Sequence, residues 1–307
     1  MNSDFARVLL PINDSVHGAA AQEVAISLCK LFKSQVSLLY VIPKEPVSLP
    51  SKNYAPIENY EPISTATGQF PRTLKAPEVK EYALPDEVAV EIAEGYSEEG
   101  HALLSNVARL FTEEGIAVKE RLVEEANVTQ GIISEAQTRN YDLVVIGKGS
   151  DEKKERSAHV ESVAERVLAA SKTSILIARR TQLKRILVLL EGSDNDNDVL
   201  KEGYALAKAA GSQIILLYVP KHSFFKAESK SDESEVLAGA AKFLEGMSFE
   251  QKLVSGNALE AVVQTAEGSD IDLIIISKGH RMLEASSVGS LADHVLRKAT
   301  ESVLLVE

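Results

Sequence analysis

Asp272-Leu273-Ile274-Ile275-Ile276-Ser277-Lys278-Gly279, followed ten residues later by Gly289-Ser290 and the run Leu291 to Lys298, is the stretch from which the chain can be read. An apolar run of strand length ends in a small, basic turn, and a Gly-Ser pair then opens a helix. The first N–H groups of a helix lack intrahelical partners and favour an anion, so this is a candidate phosphate site. The pattern has a counterpart upstream, where Asp142-Leu143-Val144-Val145-Ile146-Gly147-Lys148-Gly149 precedes Ser162 to Leu168 at nearly the same distance.

Working outward, the whole chain repeats. Arg185-Ile186-Leu187-Val188-Leu189-Leu190-Glu191-Gly192-Ser193 stands 178 residues after Arg7 to Ser15, and Ser212 to Val219 stands 178 after Ser34 to Val41. Asp272 stands only 130 residues after Asp142. The first copy therefore carries extra residues between its second and fourth strands, and the Pro-, Tyr-, Ser- and Asn-rich stretch from Pro43 to Pro85 accounts for most of them. Such a length without periodicity reads as an inserted arm, and Tyr54, Tyr60 and Tyr82 within it are residues typical of an interface.

Within the first copy, strands are expected over Arg7 to Asn13, Val36 to Ile42, Val118 to Val123, Leu143 to Ile146 and Ser174 to Ala178. Helices are expected over Val16 to Phe32, with Ala20, Val24, Ala25, Leu28 and Leu31 inward, and over Asp86 to Glu114, with Leu103, Leu104, Val107 and Leu110 inward and Gly115 as terminator. Shorter helices follow over Thr129 to Thr138 and Ser162 to Ala170. Strands alternating with helices indicate an α/β fold: two repeats of a five-stranded, parallel, doubly wound sandwich, over residues 1–180 and 181–307, joined by a short basic linker from Arg179 to Lys184.

Composition bounds the function. At 307 residues with 45% hydrophobic and 25% charged content the chain is a globular protein of two domains, and no apolar run approaches the roughly 18 residues of a membrane span. The start, Met1-Asn2-Ser3-Asp4-Phe5, has no basic n-region, and the single cysteine, Cys29, permits no internal disulfide, so the reading is a cytoplasmic protein with one buried structural thiol. A net charge of −12 opposes non-specific nucleic-acid binding, though not a small phosphate ligand in one basic groove. The six histidines show no zinc spacing, and Asp194-Asn195-Asp196-Asn197-Asp198 opens like a calcium loop but has Val199 and Ala205 where Gly and Glu are needed. That run is read as a solvated helix start, and no tightly bound metal is expected.

A strand ending in Glu-Gly-Ser, a second ending in Leu-Tyr-Val, and an Asp-apolar strand leading to Gly, nine residues and Gly-Ser resemble the universal stress protein family over nearly the whole chain, twice. The resemblance implies an adenine nucleotide alpha hydrolase-like fold packed as a pseudo-dimer. It also implies a phosphate loop of the form Gly-x-x-Gly-x9-Gly-Ser/Thr for ATP. In the second repeat it places Glu191 and Gly192 at the acidic turn, Val219 beside the adenine, and Lys278, Gly279, His280, Gly289 and Ser290 in the phosphate loop, with Mg accompanying ATP. The loop's first Gly falls on Ile276, or on Ser277 with a one-residue shift. The first repeat departs further: Asn13 and Asp14 replace Glu-Gly, the loop from Ser150 to Arg156 is longer and charged, and Glu161 stands where a phosphate would be held, so that site is read as degenerate.

The residues by themselves leave alternatives: Gly279 and Gly289 as plain turn and cap glycines, with Lys278 a solvated charge. The functional expectation is a stress-response factor whose second domain binds ATP or a similar adenine nucleotide, with a protein partner or homodimer in view. The alternative is a nucleotide-free interaction module using the Pro-rich arm and sheet edges. Neither a Gly-x-Ser-x-Gly elbow nor a Walker loop is present, so no catalytic residue is expected, and at most a weak ATPase.

Overall fold

The structure, a computed structural model, describes residues 5–13, 16–44, 86–147, 163–219, 230–253, 258–279 and 290–307. The first half forms β1 (Arg7–Pro11), α1 (Val16–Phe32), β2 (Gln35–Pro43), α2 (Asp86–Glu113), β3 (Val118–Glu125), α3 (Val128–Thr138), β4 (Leu143–Gly147), α4 (Val163–Ala170) and β5 (Ser174–Ala178). The second forms β6 (Arg185–Leu190), α5 (Asp196–Ala210), β7 (Gln213–Tyr218), α6 (Lys230–Phe243), β8 (Phe249–Leu253), α7 (Ala258–Gly268), β9 (Leu273–Ser277), α8 (Ser290–Lys298) and β10 (Ser302–Val306). Asp14 and Ser15, the Pro-rich stretch beyond Lys44, the charged loop with Glu161, and His280 to Gly289 lie outside the described residues.

All ten strands join one sheet in the order β3-β2-β1-β4-β5-β10-β9-β6-β7-β8. Each half is parallel, and the halves meet in an antiparallel pairing of β5 with β10, Ile175 to Ile177 against Leu305 to Val303. This is the pseudo-dimer as one continuous sheet. β5, β9 and β10 are buried at every position, as near-continuous apolar runs of parallel strands covered on both faces should be. The two outermost strands, β3 and β8, instead expose Lys119, Glu120, Glu250 and Gln251, polar side chains that discourage further pairing at a sheet edge.

Alternate residues of each strand enter two separate cores. Leu10, Val145, Leu176, Val188, Ile275 and Leu304 pack under α1, α2, α5 and α6, while Leu9, Val144, Ile177, Leu189, Ile274 and Leu305 pack under α3, α4, α7 and α8. Both cores run through the β5–β10 seam, so the halves share their apolar interior. Leu31 and Leu110, expected to face inward, are 37% and 41% exposed. In α1 the inward stripe runs through Ala25, Leu28 and Cys29, and in α2 through Val107 and Phe111, which turns both leucines to the flank.

The repeat extends to single hydrogen bonds. The Ser34 and Ser212 hydroxyls donate to the Phe5 and Leu183 carbonyls, and the Asp142 and Asp272 carboxylates accept from the Arg7 and Arg185 N–H groups at 2.8 and 3.0 Å. α5 ends on Gly211, whose φ of 68° lets its N–H return to the Ala207 carbonyl. The corresponding residue after α1 is Lys33, held at φ 54° without a glycine's freedom.

Arg179 and Arg180, expected in a basic linker, are instead fixed across the seam. The Arg179 guanidinium donates to the Leu296 and Glu301 carbonyls at 2.8 and 2.9 Å, and Arg180 donates to the Ile271 carbonyl at 3.0 Å and to the fully buried Glu301 carboxylate at 3.2 Å. Burial lowers the affinity of Arg179 for its proton, opposed by the charge of Glu301. Ser302 completes the knot by accepting from both arginine N–H groups.

Candidate functional site

In the second half the sheet order reverses between β6 and β9, and the crevice beyond their carboxyl ends is where an open α/β sheet binds ligands. Glu191 follows β6 and Val219 follows β7. Leu190 pairs with Tyr218, and the Val219 N–H donates to the Leu190 carbonyl at 2.8 Å, so Glu191 and Val219 stand side by side, 9% and 3% exposed. Glycine is favoured at Gly192 on two counts: its φ is 70°, and a Cβ there would crowd the Tyr218 hydroxyl at 3.0 Å.

The turn is closed from behind by Asp196, the first residue of α5. Its carboxylate accepts from the Gly192 N–H at 2.9 Å, the Ser193 hydroxyl at 2.8 Å and, more weakly, the Glu191 N–H at 3.3 Å. Asp196 is 8% exposed, which corrects the reading of Asp194 to Asp198 as a wholly solvated helix start. Asp194, Asn197 and Asp198 do face solvent. Among the described residues no cluster of three or more His, Cys, Asp or Glu could hold a metal ion.

Ser277 links this turn to Gly279. Its buried hydroxyl oxygen accepts from the Asn195 amide at 3.3 Å and from the Gly279 N–H at 3.1 Å, and Gly279 takes a φ of 76°. Lys278 turns the other way. Only 6% exposed, it sends its ammonium into the first half, donating to the Thr173 and Ser171 carbonyls at 2.7 and 3.1 Å and to the Glu307 carboxylate at 2.9 Å. It is therefore not a solvated charge; α8 opens beyond it at Ser290, and the first amides of a helix lack intrahelical partners. His280 and Gly289 lie outside the described residues.

The structure thus brings Glu191, Gly192, Val219 and Gly279 to one rim and adds three residues that sequence reasoning missed: Asn195, Asp196 and Ser277. A signal for them exists in the comparison of repeats. At the corresponding places the first half has His17, Gly18 and Gly147, beside Asn13 and Asp14 for Glu191 and Gly192; the two glycines have no side-chain acceptor to replace those of Asp196 and Ser277.

The family model described as the universal stress protein family matches this chain twice, over residues 4–179 and 182–307. A curated relative, universal stress protein Slr1230 of Synechocystis sp., is 27% identical over 172 residues; the match covers 54% of this chain and 58% of that protein, so the chain spans under two thirds of the relative's length. Among solved structures, a universal stress protein of Archaeoglobus fulgidus superimposes with a TM-score of 0.70 at 17% identity, covering 100% of this chain and 99% of that one. A universal stress protein described as putative, from Pseudomonas aeruginosa, gives 0.63 at 15% identity over 98% and 93%. At these identities the likeness is one of fold.

Proposed function

Because the chain belongs to the universal stress protein family, in a tandem form, we propose that its second repeat binds ATP or a similar adenine nucleotide, accompanied by Mg, at the rim formed by Glu191, Gly192, Val219, Gly279, His280, Gly289 and Ser290. The first repeat serves chiefly as structure. One observation carries this reading: the two halves share their backbone bonding but differ at the rim. The second half keeps an acidic turn braced by Asp196 and a loop root braced by Ser277, where the first half has Asn13, Gly18 and Gly147. A carboxylate at Glu191 suits ribose hydroxyls, a buried Val219 suits the edge of a base, and the start of α8 suits phosphate. Occupancy of that rim would bias how the chain presents itself to a protein partner.

Calorimetric titration with Mg-ATP tests this, with wild type beside Gly289→Glu, which copies the carboxylate of Glu161 in the first repeat. Saturable binding by wild type that the variant loses supports the second-repeat site. No heat from either, with co-purified nucleotide excluded by denaturing the protein and assaying the supernatant, refutes it.

A further inference from the structure

Resting on that reading, we propose that Lys278 is a positioning residue through which the first repeat holds the root of the second repeat's phosphate loop. Lys278 sits between the last residue of β9 and Gly279. Its N–H is fixed to the Val306 carbonyl at 2.8 Å, prolonging the β9–β10 ladder. Its ammonium crosses the seam to the turn between α4 and β5, where the Ser171 and Thr173 carbonyls accept at 3.1 and 2.7 Å. Those carbonyls lie just past the carboxyl end of α4, where main-chain acceptors outnumber donors and the helix dipole favours a cation. The turn is itself braced, since the Thr173 N–H donates to the Ser171 hydroxyl at 3.1 Å and the Ser171 N–H to the Val167 carbonyl at 2.9 Å.

The other side of the seam shows what is particular here. There Arg179 caps the end of α8 through the Leu296 and Glu301 carbonyls, but it projects from the end of β5 and belongs to no candidate loop. A cation capping a helix across the seam is thus common to both sides. Among the described residues, Lys278 is the seam cation that adjoins a turning glycine, Gly279 with its φ of 76°; its counterpart Lys148 lies outside them. The first repeat, although its own rim lacks the bracing residues, supplies acceptors that fix where the second repeat's loop begins.

The chain as it stands allows a test in which positioning and direct phosphate contact predict opposite signs. Glu307, 49% exposed, accepts from Lys278 at 2.9 Å. If Lys278 positions the loop, Glu307→Gln loosens the tie and weakens Mg-ATP binding by about threefold. If Lys278 is instead a phosphate ligand restrained by Glu307, the same change tightens binding, which would overturn the proposal. Lys278→Met should weaken binding at least about fivefold, with recovery in Lys278→Arg. Hydrogen exchange without nucleotide provides a readout apart from affinity: Lys278→Met should speed exchange at Gly279 and at Thr173 and Ser174 together. Unchanged exchange at Thr173 and Ser174 refutes the tie. Wild type that binds no Mg-ATP refutes the nucleotide reading and the ligand role of Lys278 with it, while exchange still decides whether the tie exists.

Discussion

Asp196→Ala is the substitution whose cost is best defined by the geometry. The carboxylate is 8% exposed and accepts two short hydrogen bonds, from Gly192 and Ser193, and one long one, from Glu191. A hydrogen bond to a charged group contributes about 1.5 kcal/mol or more, so the two short bonds sum to about 3 kcal/mol. A negative charge in the first turn of α5 adds about 0.5 kcal/mol through the helix dipole. The long bond adds little. Asp196→Ala should therefore lose about 3.5 kcal/mol, and Asp196→Asn, which keeps one carbonyl acceptor, about half of that. With a urea m-value on the order of 3 kcal/mol/M, the alanine variant's midpoint falls by about 1 M at unchanged m. Asn197→Ala, one residue on and facing solvent, should stay within about 0.5 kcal/mol of wild type. A loss below about 1 kcal/mol for Asp196→Ala, or one equal to that of Asn197→Ala, would mean that the turn is not braced as described.

Two further outcomes follow from backbone and burial. Cys29 is buried in α1 and burial pushes its thiol from 9.0 up to about 12, so between those values the unfolded chain has lost a proton that the native chain retains. The thiol's contribution is whole below pH 9 and is lost as pH rises toward 12, at about 1.4 kcal/mol per pH unit; Cys29→Ala should flatten this decline in urea titrations run at pH 9 to 11, and an equal slope in both proteins would contradict it. Lys33→Gly should raise stability by about 0.5–1 kcal/mol, since relief of a left-handed φ of 54° exceeds the entropy a glycine adds to the unfolded chain. The mirror change Gly211→Lys, where a Cβ meets nothing within 4 Å, should lower stability by a similar amount, and thermal melts that move in the same direction for both would refute the assignment.

The elements were legible in the sequence because their determinants are local. α1 spans Val16 to Phe32 as its spacing indicates, β5 spans Ser174 to Ala178, and Gly115 ends α2 with a φ of 74°. The offset of 178 residues between repeats was legible for the same reason, since both copies need the same pattern to bury both faces of a strand. What could not be read depends on partners far along the chain. Arg179 and Arg180 look like a linker until Leu296, Ile271 and Glu301 are brought against them. Lys278 beside a glycine looks like a phosphate ligand until β10 pairs with β5 and delivers the Thr173 carbonyl. Asp196 is a different case, its partners being three to five residues away. There the information was local but ambiguous, since a run of Asp and Asn suits a solvated cap as well as a buried brace.

The tandem arrangement explains how these two classes of residue can part company. In a dimer of identical chains every position occurs on both sides of the two-fold axis, so a change at the ligand rim alters both sites at once. Joined in one chain, the halves are free to differ, and they differ selectively. The positions that hold strand to strand are kept in both: Ser34 with Ser212, Asp142 with Asp272. The rim positions are not: Asn13 against Glu191, Gly18 against Asp196, Gly147 against Ser277. Loss of a seam residue such as Glu301 would be different in kind, since its fully buried carboxylate accepts from the Arg180 guanidinium, the Thr300 N–H and the Thr300 hydroxyl, and those donors would lose a shared acceptor within the seam. The first repeat can thus give up its own rim and still be needed, because the seam it builds is where the second repeat's loop is rooted.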